Sequence, residues 1–267
     1  LRVAADFLLR AAPKATVWLS NPSWANHQAI FEAAGFRVRD YRYYDEASQG
    51  LDGEGFMADL EGVAEGDIVI LHACCHNPSG IDLDQAAWEA IAMQAKAKNV
   101  VCLVDFAYQG FGEGLEEDRA GLHILLNAGL SVLVVSSFSK NFSLYGERIG
   151  AITVVEETAN DAFNAFSHVQ AAIRAIYSSP PAHGGKIVAT ILGDAPLKGL
   201  WIRELAEMRS RIKALRRAFV RGMTDRQQKI DFDFINHQKG MFSFSGLTLE
   251  QVLKLRADNH IYIVGSG

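Results

Sequence analysis

A lysine can act as a nucleophile only when uncharged, and Lys140, set between Phe138, Phe142 and Leu144, is a candidate for that state. Apolar neighbours desolvate the ammonium and favour the neutral amine, which adds to carbonyls and makes Schiff bases. Ser137 and Arg148 flank it with a hydroxyl and a guanidinium, a pairing suited to an anion such as a phosphate. Asp105 closes the apolar run 100–104, and a carboxylate after buried residues demands a cationic partner. Tyr108 adds a phenol three residues on, and Asn77, in the turn HNPSG at 76–80, adds an amide donor suited to a ring oxyanion. In the stretch NPSWANH at 21–27, the Trp24 indole could stack on a flat heteroaromatic ring, with His27 following it. His72, Cys74, Cys75 and His76 are zinc ligands by type, but they lack the usual ligand spacings and no second cluster follows. No metal is expected.

Periodicity indicates which elements hold these groups. Helices are predicted over 1–12, 27–34, 88–97, 120–128 and 160–175, and strands over 16–20, 37–41, 68–72, 100–104, 132–135 and 151–155, with 43–55 a loop. Strand and helix in alternation predict an α/β fold, a mainly parallel, doubly wound sheet with right-handed crossovers. His27, Asn77, Asp105 and Lys140 all follow predicted strands, and ligands of open α/β sheets bind at that edge. Leu205, Met208, Ile212, Leu215 and Phe219 mark one face of a long helix. Arg209, Arg211, Lys213 and Arg217 lie off it and alternate with Glu204 and Glu207, the pattern of a solvated face rather than a nucleic-acid surface. A strand at 241–245, a helix at 249–256 and a strand at 261–264 predict a second, smaller α/β unit. The expected division is a large domain at 1–205 and a partial C-terminal small domain at 206–267.

The chain has 267 residues, 49% of them hydrophobic, and a formal net charge of -5. That balance argues against a general nucleic-acid or anionic-membrane surface, so any anion must be held by a few placed cations. No apolar run approaches the ~20 residues needed to span a bilayer. Three cysteines, two of them adjacent, disfavour a disulfide framework and fit a reducing compartment.

The segment SFSKNFSLYGERIG at 137–150 resembles the lysine segment of class I aminotransferases of the aspartate and aromatic amino acid type. The motifs around Trp24, Asn77, Asp105 and Arg174 follow in the family's order, so the resemblance covers essentially the whole chain. It implies the fold of type I pyridoxal phosphate (PLP) enzymes, with Lys140 as Schiff-base lysine and proton shuttle. It further implies Asp105 against the pyridinium nitrogen, Tyr108 and Asn77 at the ring oxygen, Trp24 on the ring and at the substrate, and His27 behind the ring. Ser137 and Arg148 would hold the phosphate, while Arg174 would reach a neighbouring subunit's site and grip a substrate carboxylate, which implies a homodimer with shared sites. The implied reaction is ping-pong transfer of an amino group from L-aspartate, and from aromatic amino acids, to 2-oxoglutarate in the cytoplasm. FSLYGERIG and YDEASQG look more like the aromatic enzymes, leaving an aromatic main activity as the alternative. A PLP-binding regulatory domain would show a basic helix-turn-helix, and a PLP decarboxylase or lyase would not be expected to carry Arg174. The family's phosphate-cradling Ser/Gly-Thr loop would precede Leu1 and its carboxylate-binding arginine would follow Gly267, so the chain reads as part of a longer enzyme.

Overall fold

In this computed structural model residues 1–226 and 230–265 are described. Helix α1 (Arg2–Ala11) leads to strand β1 (Thr16–Asn21), α2 (Ala25–Ala34) and β2 (Arg37–Arg42). A small antiparallel pair, β3 (Tyr44–Asp45) with β4 (Gly50–Leu51), precedes α3 (Gly53–Glu61), so the stretch expected as loop holds a hairpin and the start of a helix. Asp52 caps that helix by accepting from the Gly55 N–H, a local signal of the usual kind for a helix start. Then follow β5 (Ile68–His72), α4 (Gln85–Ala97), β6 (Val101–Phe106), α5 (Ala120–Asn127), β7 (Val132–Ser137) and β8 (Gly150–Val155).

Six strands form one sheet in the order β2-β1-β5-β6-β7-β8, parallel except for β8, which runs antiparallel to β7. Successive residues of a strand face opposite sides, and here both sides are apolar. Val69, Leu71, Cys102, Val104, Val132 and Val134 enter one core, whereas Ile68, Ile70, Leu103, Leu133 and Val135 enter the other. That is why the central strands read as unbroken hydrophobic runs. Residues of α4 and α5 pack in the first core, and residues of α1 and α2 in the second.

Beyond the sheet lie α6 (Ala159–Ile176), α7 (Ala182–Gly193), α8 (Ala195–Thr224), the short α9 (Phe234–His237) and α10 (Leu249–Asn259). Helix α8 runs unbroken through residue 205, the expected boundary. Its buried stripe also departs from expectation: Leu205, Arg216 and Val220 are buried, while Leu215 and Phe219 are exposed. No strand forms at 241–245 or 261–264 among the described residues. At 241–245 side chains serve the backbone that a ladder would otherwise serve. Arg216 donates to the Gly240 and Phe242 carbonyls, and the Gln238 amide exchanges two bonds with Phe244.

Candidate active site

The parallel strands end on one edge, and the sheet register brings residues at or near those ends level with one another and with the start of β8. His72 of β5 pairs with Asp105 of β6, Asp105 with Val135 of β7, and Ser137 with Gly150 of β8. Asp105 is therefore inside its strand rather than past it. A cavity of about 500 Å³ opens on this edge, and Trp24, Asn77, Asp105, Tyr108, Ser137, Lys140 and Arg148 all line it. His27 sits behind, fully buried, and Arg174 does not join the group: it is exposed in the last turn of α6.

His27 Nε2 meets Asp105 Oδ2 at 2.8 Å. Burial pushes the Asp105 carboxyl up, but the hydrogen bond from His27 and the His27 ring beside it hold it below its usual range. The carboxylate therefore stays ionised at neutral pH with a face toward the cavity. Ser23 links His27 Nδ1, at 2.9 Å, to His72 Nε2, at 3.3 Å. His72 itself is pushed well below its usual value by burial, then by its two histidine neighbours.

Lys140 lies in the turn after β7, with its Nζ 4.7 Å from the centroid of the Tyr108 ring. Desolvation lowers its pKa, Asp105 opposes that and Arg148 adds to it, so the amine is more readily neutral than in water. Tyr108 accepts from Asn77 Nδ2 at 3.2 Å, and its phenol is pushed up by burial and by the Asp105 charge, which keeps it protonated. Trp24, 36% exposed, stands at the N-cap position of α2 without a side-chain cap bond, and its indole meets His27 edge-on at 5.3 Å. Arg148 adopts a left-handed backbone, φ 53°, and its Nη1 donates to the Tyr145 carbonyl at 2.9 Å.

Reading for chemistry alone missed Ser23, Tyr145 and the placement of His72 and Cys74 on the cavity wall. The spacing of Ser23 and His27, four apart, was the available signal. Several groups near the residues that are zinc ligands by type are otherwise engaged. His76 spends both ring nitrogens on Ser20 and Ser79 and stacks on Tyr43 at 3.9 Å. Cys74, Cys75 and Asp118 bring ligand atoms within 4.8 Å of one another, but the Asp118 carboxylate already accepts from the N–H groups of Gly110, Gly112, Glu113 and Gly114. Among the described residues no helix is long and apolar enough to cross a membrane.

The family model described as aminotransferase class I and II matches residues 1–266. The aspartate aminotransferase of Pseudomonas aeruginosa is 49% identical over 267 residues, 100% of this chain and 67% of that protein. The aromatic-amino-acid aminotransferase of Escherichia coli is 44% identical over the same span, again 67% of that protein. In three dimensions the chain superposes on the aromatic-amino-acid aminotransferase of Burkholderia pseudomallei, solved covalently bound to pyridoxal phosphate, with a TM-score of 0.97 and 47% identity. That match covers 99% of this chain and 66% of the other, so the chain spans about two thirds of the length of these relatives.

Proposed function

The chain belongs to the aminotransferase class I and II family, and from that membership we propose that it carries the catalytic core of a PLP-dependent transaminase acting on L-aspartate and aromatic L-amino acids, with 2-oxoglutarate as acceptor. One observation carries the reading: an amine of lowered pKa, an ionised buried carboxylate, an amide–phenol pair and an exposed indole line one cavity at the strand ends. Its donor set fits PLP group by group. Asp105 offers an anion to a protonated ring nitrogen and is oriented by His27. Asn77 and Tyr108 offer donors to the ring oxygen, Trp24 a flat face, and Ser137 with Arg148 a hydroxyl and a guanidinium to the phosphate.

When bound, PLP supplies an aldehyde that condenses with amines and a ring that takes up the electrons released when the substrate Cα loses its proton. The chain's own residues do the rest. Lys140 Nζ would hold the cofactor in the resting enzyme and, once freed, would take the substrate Cα proton as a base and deliver it as an acid to the carbon that carried the aldehyde. The Tyr108 ring lies 4.7 Å from that amine, and burial favours the amine's neutral form. Asp105 keeps its charge because its hydrogen bond with His27 favours the ionised carboxylate.

Arg174 faces solvent on α6 away from the cavity, so in this reading it serves the site of a second copy and binds a side-chain carboxylate there. The assembly is thus a homodimer with shared sites, working in the cytoplasm. The division into a cofactor-binding part at 1–205 and a partial second unit at 206–267 belongs to the same reading, with α8 bridging the two. The likeness to the Burkholderia enzyme favours, as a second reading, aromatic amino acids as the main substrates. Absorbance spectra with added PLP, before and after aspartate or phenylalanine, test this: a visible band should form and then fade on adding the amino acid, faster with the preferred one. A band that neither amino acid bleaches would refute the transaminase reading.

A further inference from the structure

Segments that carry the proposed chemistry come from distant parts of the chain, and α8 touches two of them. Trp201, Leu205 and Arg209 recur every four residues and so share one face of that helix. The Trp201 Nε1–H donates to the Asn141 carbonyl at 2.6 Å, and its indole stacks on Phe142 at 4.4 Å with the rings 18° apart. Both contacts fall on the two residues that follow Lys140. Two turns along α8, Arg209 Nη1 donates at 2.8 Å to the carbonyl of Gly110, two residues beyond Tyr108. Leu205 lies between, so close to Gly110 that a Cβ there would stand 2.4 Å from Leu205 Cδ2. Further along, Arg216 fixes the Gly240 and Phe242 carbonyls, and the Phe242 ring meets Tyr108 edge-on at 5.9 Å.

Within the lysine turn the Ser143 N–H donates to the Lys140 carbonyl at 3.0 Å. Toward the Tyr108 segment the Asn141 amide reaches the Gln109 carbonyl only at 3.4 Å, and its Oδ1 is buried without a partner. The 2.6 Å bond from Trp201 is shorter and ties the turn to α8. Resting on the reading of Lys140 as the reactive amine, we propose that Trp201 and Arg209 are positioning residues. Through the Asn141 and Gly110 carbonyls they hold the Lys140 turn and the Tyr108 turn at a fixed spacing, so that α8 sets the amine over the phenol ring. The charged and titratable groups facing that amine are Asp105 from β6, Tyr108 after it, and Arg148.

Trace acetylation of the chain with acetic anhydride across pH, read on the Lys140 peptide by mass spectrometry, reports the midpoint at which this amine becomes neutral without requiring any cofactor. Trp201→Phe keeps the ring and deletes the donor. A loosened turn lets water reach the amine, so the midpoint should rise toward the usual value by about half a pH unit or more. Lys14 and Lys254, both exposed, should not move, and Arg211→Ala, elsewhere on α8, should leave Lys140 unchanged. An unmoved Lys140 midpoint in folded Trp201→Phe overturns the inference. Should that variant not fold, Arg209→Met decides by the same reading. Because the labelling uses no PLP, an unmoved midpoint is distinct from a failure of Lys140 to bind PLP, which would refute the transaminase reading instead.

Discussion

At the scale of single residues, two ionisable groups are held in the state their proposed roles need, by opposite means. Asp105 is kept charged by a buried histidine, whereas Lys140 is pushed toward neutrality by lost solvation. The second arrangement carries a stability cost whose sign follows from linkage. Between its lowered folded pKa and the usual 10.5, Lys140 binds more proton in the unfolded chain than in the folded one, so stability rises with pH through that window. Below the window the full cost is present. Lys140→Met, measured without cofactor, should therefore raise the melting temperature at pH 7, with the gain fading as pH approaches 10.5. A lower melting temperature at pH 7 would show that the amine stabilises the fold. His76 behaves likewise: burial, then the charge of His27, push it down to about 3. As pH falls from the usual 6.5 toward that value, the unfolded chain takes a proton that the folded one refuses, and stability is lost. His76→Gln should cost roughly 1–3 kcal/mol at neutral pH through its broken buried hydrogen bonds, yet unfold with a shallower acid dependence in denaturant titrations from pH 7 to pH 3. A slope as steep as that of the unchanged chain would contradict the assignment.

At the scale of elements, the strands and the turns after them were legible because each central strand is apolar on both faces and stops at a polar residue. Asn77 and Lys140 fall in the turns after such strands and Asp105 one residue before the end of β6, but it was the resemblance of their segments to class I aminotransferases that singled them out. What the sequence hid were the places where a polar side chain does a structural task. The apolar spacing along α8 leads the eye to Leu215 and Phe219, whereas the buried stripe continues through Arg216 and Val220. An arginine on a buried stripe is recognisable only once its acceptors, the carbonyls of 240 and 242, are known to be near. The same bonds explain why 241–245, alternating enough to read as a strand, is not one. Its docking depends on Gly240, which has φ 81° and where a Cβ would lie 2.3 Å from Cys75 Cβ. Gly240→Ala should cost about 2–4 kcal/mol, from left-handed strain together with overpacking, and should release Phe242 from Tyr108. Equilibrium unfolding checks the first, and the near-ultraviolet circular dichroism of the aromatic pair the second. A change under ~0.5 kcal/mol, the usual reach of a neutral surface substitution, would mean the segment is not seated as described.

At the scale of the molecule, a six-stranded sheet with helices on both faces places groups from residues 24 to 148 around one cavity. The α/β class and the parallel order were readable because alternation of elements leaves few topologies. The C-terminal third was less readable: the strands expected at 241–245 and 261–264 do not form among the described residues, because strand formation depends on long-range pairing that local pattern does not encode. The central claim is that the chain presents one lysine to PLP. It is tested most directly by incubating the protein with PLP, reducing with borohydride and mapping the modified peptides by mass spectrometry. The account predicts a phosphopyridoxyl group on Lys140, absent from Lys140→Ala. Labelling confined to other lysines, such as Lys186 or Lys198, would contradict it.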